Sequence, residues 1–236
     1  MTIQAVLFDK DGTLFDFQAS WGAWTETALL HVGGGDVRFA KTLGTAIGYC
    51  FEDKSFLPDS VVVAGTNEDF FAALQPLLPD LDETAMRAKF EDMEFQAKMA
   101  PVPHLETTLL GLKDLGLVLG VATNASAAPS RKQLKDFKID GFFHTVLGYD
   151  SGYGGKPAPD MLLAFADKTG IAPARIAMVG DSLHDLKAAK AAGMVGVGVL
   201  TGVFDHMALA PYADIVFPDI SHLPQWIKAQ PQETTK

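Results

Sequence analysis

Short apolar runs recur along the chain, each followed by a turn and a stretch of helical spacing, and most close on a polar residue. They cover Ile3 to Phe8 closing at Asp9, Leu117 to Ala122 at Thr123, Phe142 to Leu147, Ile176 to Val179 at Gly180-Asp181, Val195 to Leu200 at Thr201, and a short last run, Ile215 to Phe217. Continuous rather than alternating hydrophobicity marks strands covered on both faces, the condition of a parallel sheet. Between the later runs the spacing predicts helices over Leu105–Leu115, Ser130–Phe137, Pro159–Lys168 and Leu183–Ala192. This alternation predicts an α/β fold, a doubly wound parallel sheet.

The first crossover breaks the rhythm. Residues 9–116 separate the first two runs, whereas a crossover between parallel strands needs only about a dozen residues or somewhat more. The gap reads as helices punctuated by turns: Trp21–His31, the Gly33-Gly34-Gly35 break, Val37–Ile47, Asn67–Leu78 and Asp82–Met99, with Pro101 and Pro103 marking the return to the sheet. The expected organisation is a discontinuous core, residues 1–16 and 104–230, carrying an inserted helical domain over 17–103. The connecting segments near 14–17 and 100–104 would form a hinge. The polar tail Gln230–Lys236 is expected to fray.

Composition narrows the function. A length of 236 residues suits one domain with a large insertion or two modest domains, and 48% hydrophobic with 20% charged residues excludes a disordered chain. The 19 Lys+Arg against 29 Asp+Glu give a net charge of -10 with no basic run, which argues against nucleic acid or an anionic membrane as partner. An anionic substrate must then be drawn in by a local device: a metal ion, a single lysine or helix N-termini. The lone Cys50 excludes an intrachain disulfide framework and a multi-cysteine metal site, and makes a reducing compartment the default. With no signal-like N-terminus and no apolar stretch near the roughly 20 residues that span a bilayer, the reading is a cytoplasmic protein with no membrane partner.

In an open parallel sheet ligands bind beyond the carboxyl ends of the strands, so the residues that close or closely follow the runs carry the candidate chemistry. These are Asp9 and Asp11, Thr123 and Asn124, Lys156, and Asp181 with Asp185. Carboxylates, a hydroxyl and a lysine at one edge suit a hard cation and a phosphate, because Mg²⁺ favours a few carboxylates plus phosphate oxygens. Asp9, at a strand tip, is the candidate nucleophile forming an aspartyl-phosphate. Asp11 is the candidate general acid, then base. Gly12 permits a tight turn beside the phosphate, Lys156 supplies point charge, and Thr123 with the Asn124 region supplies hydrogen bonds to phosphoryl oxygens. Asp9, the Asp11 carbonyl and Asp181 would form the Mg²⁺ shell, and Asp185, four residues on, would support it.

The segments FDKDGTLFD (8–16), VATN (121–124), GGKPAPD (154–160) and VGDSLHD (179–185), in this order, resemble the four motifs of the haloacid dehalogenase superfamily, and the arrangement looks most like its phosphoglycolate phosphatase-type members. The resemblance implies a Rossmann-like core with a helical cap of the first cap type. It assigns the nucleophile to Asp9, the acid/base to Asp11, and the Thr/Ser, Lys and acidic motifs to Thr123, Lys156 and Asp181 with Asp185. Dehalogenase members lack the second Asp and phosphonate-cleaving members carry Ala there, so Asp11 argues against both.

The expectation is therefore a Mg²⁺-dependent phosphatase acting on a small phosphomonoester, phosphoglycolate-like or a sugar phosphate. A phosphomutase of the same family, or a non-catalytic phosphate-ligand-binding regulator, is the alternative. Closing a lid over the phosphate would place specificity in the insert. The candidate specificity loop there is Gly44 to Ser60, with Tyr49, Phe51, Lys54 and Phe56, and Arg38, Lys41 and Lys54 are candidate partners for a substrate carboxylate. Phe39, Phe70, Phe71, Phe90 and Phe95 fall at helical spacing and are expected to form the core of the insert. His184 is assigned equally to solvent or to substrate.

Overall fold

A computed structural model describes residues 2–65 and 67–230. The chain begins with β1 (Ala5–Phe8) and continues through α1 (Phe17–Val32), α2 (Val37–Ala46), the short strands β2 (Tyr49–Cys50) and β3 (Ser55–Phe56), α3 (Val61–Ala64), α4 (Asn67–Leu74) and α5 (Glu83–Gln96). There follow α6 (Leu105–Asp114), β4 (Val118–Ala122), α7 (Ala127–Asp136), β5 (Phe143–Leu147), α8 (Asp160–Thr169), β6 (Ile176–Gly180), α9 (Leu183–Ala192), β7 (Val195–Val199), α10 (His206–Leu209), β8 (Ile215–Phe217) and α11 (Leu223–Lys228).

The larger sheet has the order β5-β4-β1-β6-β7-β8, and all its pairings are parallel. The fold is thus the doubly wound α/β sheet read from the sequence. Every residue of β1 is fully buried because its two faces serve two cores. Val6 and Phe8 join the cluster that holds α6, α11 and the inserted helices, while Ala5 and Leu7 pack with Phe165 of α8 and Ala188 and Ala189 of α9. Chain direction along the sheet reverses at β1: β4 and β5 lie to one side and β6 to β8 to the other. Such a switch point opens a crevice beyond the strand ends.

Helix boundaries follow their caps. Helix α1 starts four residues before the predicted Trp21 because the Asp16 side chain accepts the Ala19 N–H at 2.8 Å. Helix α7 begins at Ala127 rather than Ser130; Pro129 falls in its first turn, where the missing N–H needs no partner. The helix predicted over 67–78 ends at Leu74 and gives way to a 3₁₀ turn over Gln75–Leu77, since Pro76 cannot continue the hydrogen-bond ladder. The β2–β3 pair, with Tyr49 opposite Phe56, was not predicted: strands of two residues carry no readable period. The segments flanking the insert run beside each other, with Asp16 N–H donating to the Ala100 carbonyl at 2.8 Å and Val102 N–H to Leu14 at 3.1 Å. Residues 231–236 of the tail expected to fray lie outside the described residues. No helix among the described residues is long and apolar enough to cross a membrane.

Candidate active site

Register brings the site together. Phe8 of β1 pairs with Val121 of β4 and Val179 of β6, so Asp9, Thr123 and Asp181 emerge at one edge of the sheet although the chain separates them widely. All three are buried. Lys156, on the loop after β5, reaches into the same place: its Nζ donates to Asp9 Oδ1 at 2.7 Å and to Asp185 Oδ1 at 2.6 Å. The carboxylates of Asp9, Asp181 and Asp185 offer oxygens within 4.8 Å of one another.

The electrostatics follow from crowding acids in a dry place. Burial, opposed by Lys156 and reinforced by Asp185, pushes the Asp9 carboxyl up to about 7. Burial and then the Asp9 and Asp185 charges hold Asp181 well above the usual carboxylate range. Burial alone would lower the Lys156 ammonium, but the attraction of Asp185 and Asp9 outweighs it and raises the lysine above its ordinary value. Asp185 is fixed twice: Oδ1 accepts from Lys156, and Oδ2 accepts from Ser182 N–H at 3.1 Å and Ser182 Oγ at 2.7 Å in the capping box that starts α9. Hard oxygen donors with one paired cation and an excess of negative charge are the donor chemistry of a Mg²⁺ site, so the residues present fit that ion.

Asn124 borders the same cavity as Thr123 and Lys156, and its side chain is tied to the lysine's backbone. Its side chain accepts the Lys156 N–H at 2.8 Å and donates to the Lys156 carbonyl at 2.9 Å, which clamps the lysine's backbone. Thr123 is 1% exposed and its Oγ1 accepts the Ala125 N–H at 3.1 Å. His184 turns Nδ1 toward the Lys156 carbonyl at 3.1 Å and also borders the cavity described below.

Asp11 sits in a network absent from the sequence reading. Trp21 Nε1 of α1 donates to its Oδ1 at 2.8 Å, and Lys10 Nζ lies 2.7 Å from its Oδ2. Lys10 is fully buried, with Nζ also 2.7 Å from Gln133 Oε1 of α7 and 5.5 Å from the Trp21 ring centre. Gln133 Nε2 in turn donates to the Glu94 carbonyl of α5 at 3.3 Å. The available signal was Lys10 itself, a lysine set between two acids directly after a buried strand, where a solvated position is the exception.

Backbone space is equally constrained. Gly12 has φ +86°, and a Cβ there would overlap the Asp181 carboxylate; its carbonyl accepts from Thr201 Oγ1 at 2.6 Å. Gly12→Ala is therefore expected to lower stability by about 1–3 kcal/mol and to displace Asp181. Urea unfolding of the variant, with Mg²⁺ affinity read by calorimetry, checks both effects.

A cavity of about 160 Å³ opens from Asp9, Asp11, Thr123, Lys156 and Asp181 into the inserted helices. Its far walls are largely apolar and include Trp24, Leu29, Ile47, Phe71 and Phe90. Phe70, Phe71 and Phe90, expected as core, do pack on one another, with ring centres 4.8 to 6.0 Å apart, and they also face this cavity. Of the candidate specificity loop only Ile47 borders it; Tyr49 and Phe56 pack edge to face, and Tyr49 Oη donates to the Gly22 carbonyl at 2.6 Å. The proposed carboxylate partners lie elsewhere: Lys41 pairs with Glu52 at 2.5 Å, Lys54 with Glu26 at 2.7 Å, and Arg38 does not line the cavity.

Comparison with known proteins gives the same frame. Among curated proteins, the chain is 30% identical to the phosphoglycolate phosphatase of Shigella boydii, over 94% of this chain and 91% of that one. It is 31% identical to that of Neisseria meningitidis, over 98% and 95%. Among solved structures it superposes on L-2-haloacid dehalogenase from Xanthobacter autotrophicus with a TM-score of 0.66 at 20% identity, covering 98% of this chain and 100% of that chain. It also superposes on a HAD-superfamily hydrolase of subfamily IA from Geobacter sulfurreducens with a TM-score of 0.63 at 21% identity, covering 95% and 96%; both likenesses concern the fold. The family model for haloacid dehalogenase-like hydrolases matches residues 3–193, a span that takes in β1, the inserted helices and the strand tips bearing Asp9, Thr123 and Asp181, and the chain belongs to that family.

Proposed function

We propose that the chain is a Mg²⁺-dependent phosphomonoesterase that hydrolyses a small phosphorylated metabolite through an aspartyl-phosphate on Asp9. The observation that carries this reading is the single cluster in which Lys156 bridges Asp9 and Asp185 with Asp181 alongside, at the tip of β1. The curated relatives named phosphoglycolate phosphatase support ester hydrolysis over the mutase and the non-catalytic alternative.

In the first step an Asp9 carboxylate oxygen forms a bond to phosphorus, the bond from phosphorus to the ester oxygen breaks, and Asp11 gives its proton to the departing alcohol. In the second, Asp11 takes a proton from water, the water oxygen bonds to phosphorus, and the bond to Asp9 breaks, releasing phosphate and restoring both carboxyl groups. Trp21 and Lys10 hold the Asp11 carboxylate in one orientation through the bonds given above. Lys156 steadies Asp9 and adds positive charge toward the phosphoryl oxygens, while Thr123 borders the same end of the cavity. Asp9, Asp181 and the Asp11 carbonyl would hold Mg²⁺, with Asp185 positioning Lys156. When bound, the ion supplies positive charge that offsets the crowded carboxylates and the phosphate oxygens.

Residues 17–103 are proposed as a cap that opens and closes on the core about the paired segments near 14–17 and 100–104. A cytoplasmic location suits the free Cys50.

The metal is tested by its effect on stability at two pH values. The folded carboxyl of Asp9 titrates near 7, above its ordinary 3.8. Without metal, the contribution of Asp9 to stability is thus full below pH 3.8 and lost as pH rises through about 7. Mg²⁺ binds the deprotonated acids and reverses that loss. At saturating concentrations, near 100 times Kd, the ion is expected to stabilise by about 2.7 kcal/mol at pH 8, or roughly 5–10 °C in Tm, and by much less at pH 5. Adding beryllium trifluoride, a mimic of the phosphoryl group on Asp9, is expected to raise Tm further. An equal Mg²⁺ shift at both pH values, or none, would refute the metal assignment.

A further inference from the structure

The cavity has two unlike ends. One holds the carboxylates and Lys156, with Trp21 hydrogen-bonded to Asp11; the other is walled by Trp24, Leu29, Ile47, Phe71 and Phe90. Among the described lining residues Lys156 is the one lysine or arginine, and its Nζ is already engaged by Asp9 and Asp185. Arg87 lies over the Phe71 ring at 4.5 Å and is not among the lining residues.

Resting on the phosphomonoesterase reading, we propose that the part of the substrate beyond the phosphate is a small uncharged apolar group. Two physical facts set this class. A substrate carboxylate placed among those apolar walls would give up its hydration, and Lys156, the one lysine or arginine among the described lining residues, is already engaged by Asp9 and Asp185, an arrangement that disfavours binding. An apolar group there loses only unfavourable contact with water. The aromatic walls offer edge-to-face contacts to a ring; Trp21 and Trp24 already stand at 85° to each other. Sequence kinship with phosphoglycolate phosphatases thus concerns the phosphoryl-transfer end, while the walls supplied by the insert select a different leaving alcohol.

The test compares benzyl phosphate with phosphoglycolate, both alkyl esters, in the Mg²⁺-loaded enzyme, with Asp9→Asn as control. It pairs this with calorimetric binding of the non-hydrolysable benzylphosphonate and phosphonoacetate. The expected result is a preference of at least about tenfold for the benzyl compound in kcat/KM and in Kd. Equal or better hydrolysis of phosphoglycolate, lost in Asp9→Asn, overturns the substrate class and leaves the phosphomonoesterase reading standing. Failure of the wild type to hydrolyse either ester or to bind either phosphonate overturns that reading and this inference with it.

Discussion

Replacing Asp9 by Asn is expected to lower Mg²⁺-dependent phosphate release by at least about a thousandfold, because the attacking oxygen is lost while the shape of the site is kept. The same variant is expected to be no less stable than the wild type in the absence of metal, and more stable at pH 8. Asp9 is 7% exposed and packed against Asp181 and Asp185, and its carboxyl is pushed up to about 7, so near neutrality its ionised form is held at a cost. An amide there carries no charge to repel its neighbours, and Lys156 keeps Asp185 as partner. Activity and thermal unfolding measured on one preparation check the pair of expectations. Retained turnover with full occupancy of the fold would show that Asp9 is not the nucleophile.

The second large effect is expected from Lys156→Met, which keeps an apolar stem of similar length to that of lysine and removes the charged end. The lysine is 3% exposed and lies between two carboxylates at 2.7 and 2.6 Å. Breaking a buried ion pair by removing one partner costs about 3–5 kcal/mol, because the remaining charge stays buried and uncompensated. A fall in Tm on the order of 10 °C should result for a chain of this size. Mg²⁺ is expected to recover part of that stability, since it restores positive charge to the same cluster, and to recover little of the activity, since the lysine's hydrogen bonds to Asp9 and Asp185 are gone. Urea unfolding with and without Mg²⁺, alongside phosphate release, separates the two. Unchanged stability in the variant would mean that protons shared among the acids, rather than Lys156, neutralise the cluster.

Much of the site was legible because the chemistry is anchored to strand ends. Asp9, Thr123 and Asp181 each follow a buried parallel strand, and parallel register alone carries such residues to one edge. Lys156 and Asp185 were legible as well, although their mutual bond and the Ser182 capping box were not. The network around Asp11 was missed for a different reason. Trp21 was read only as the start of a helix and Gln133 as one polar position in another; nothing local distinguishes a tryptophan whose N–H ends on a carboxylate from one that fills a core. The specificity expectations fared worst. A turn-rich stretch with Lys54 and Tyr49 looks like a binding loop, yet β2 and β3 fold it into a small hairpin whose lysine pairs with Glu26.

The order of buried runs, their polar endings and the long interruption between the first two were enough to determine the doubly wound sheet, the edge at which the acids and Lys156 meet and the residue types gathered there. Strand burial imposes continuous hydrophobicity, and parallel pairing imposes a common polarity on the strand ends. Tertiary structure alone decided which groups meet at hydrogen-bond distance, that Lys10 is a buried tie between Asp11 and Gln133, and that the space beyond the phosphate end is walled by Trp24, Leu29 and Phe71. Those outcomes depend on how α1, α4 and α5 pack against one another and against the sheet. Helical periodicity specifies that such faces are apolar but leaves open whether a face meets another helix or an open cavity.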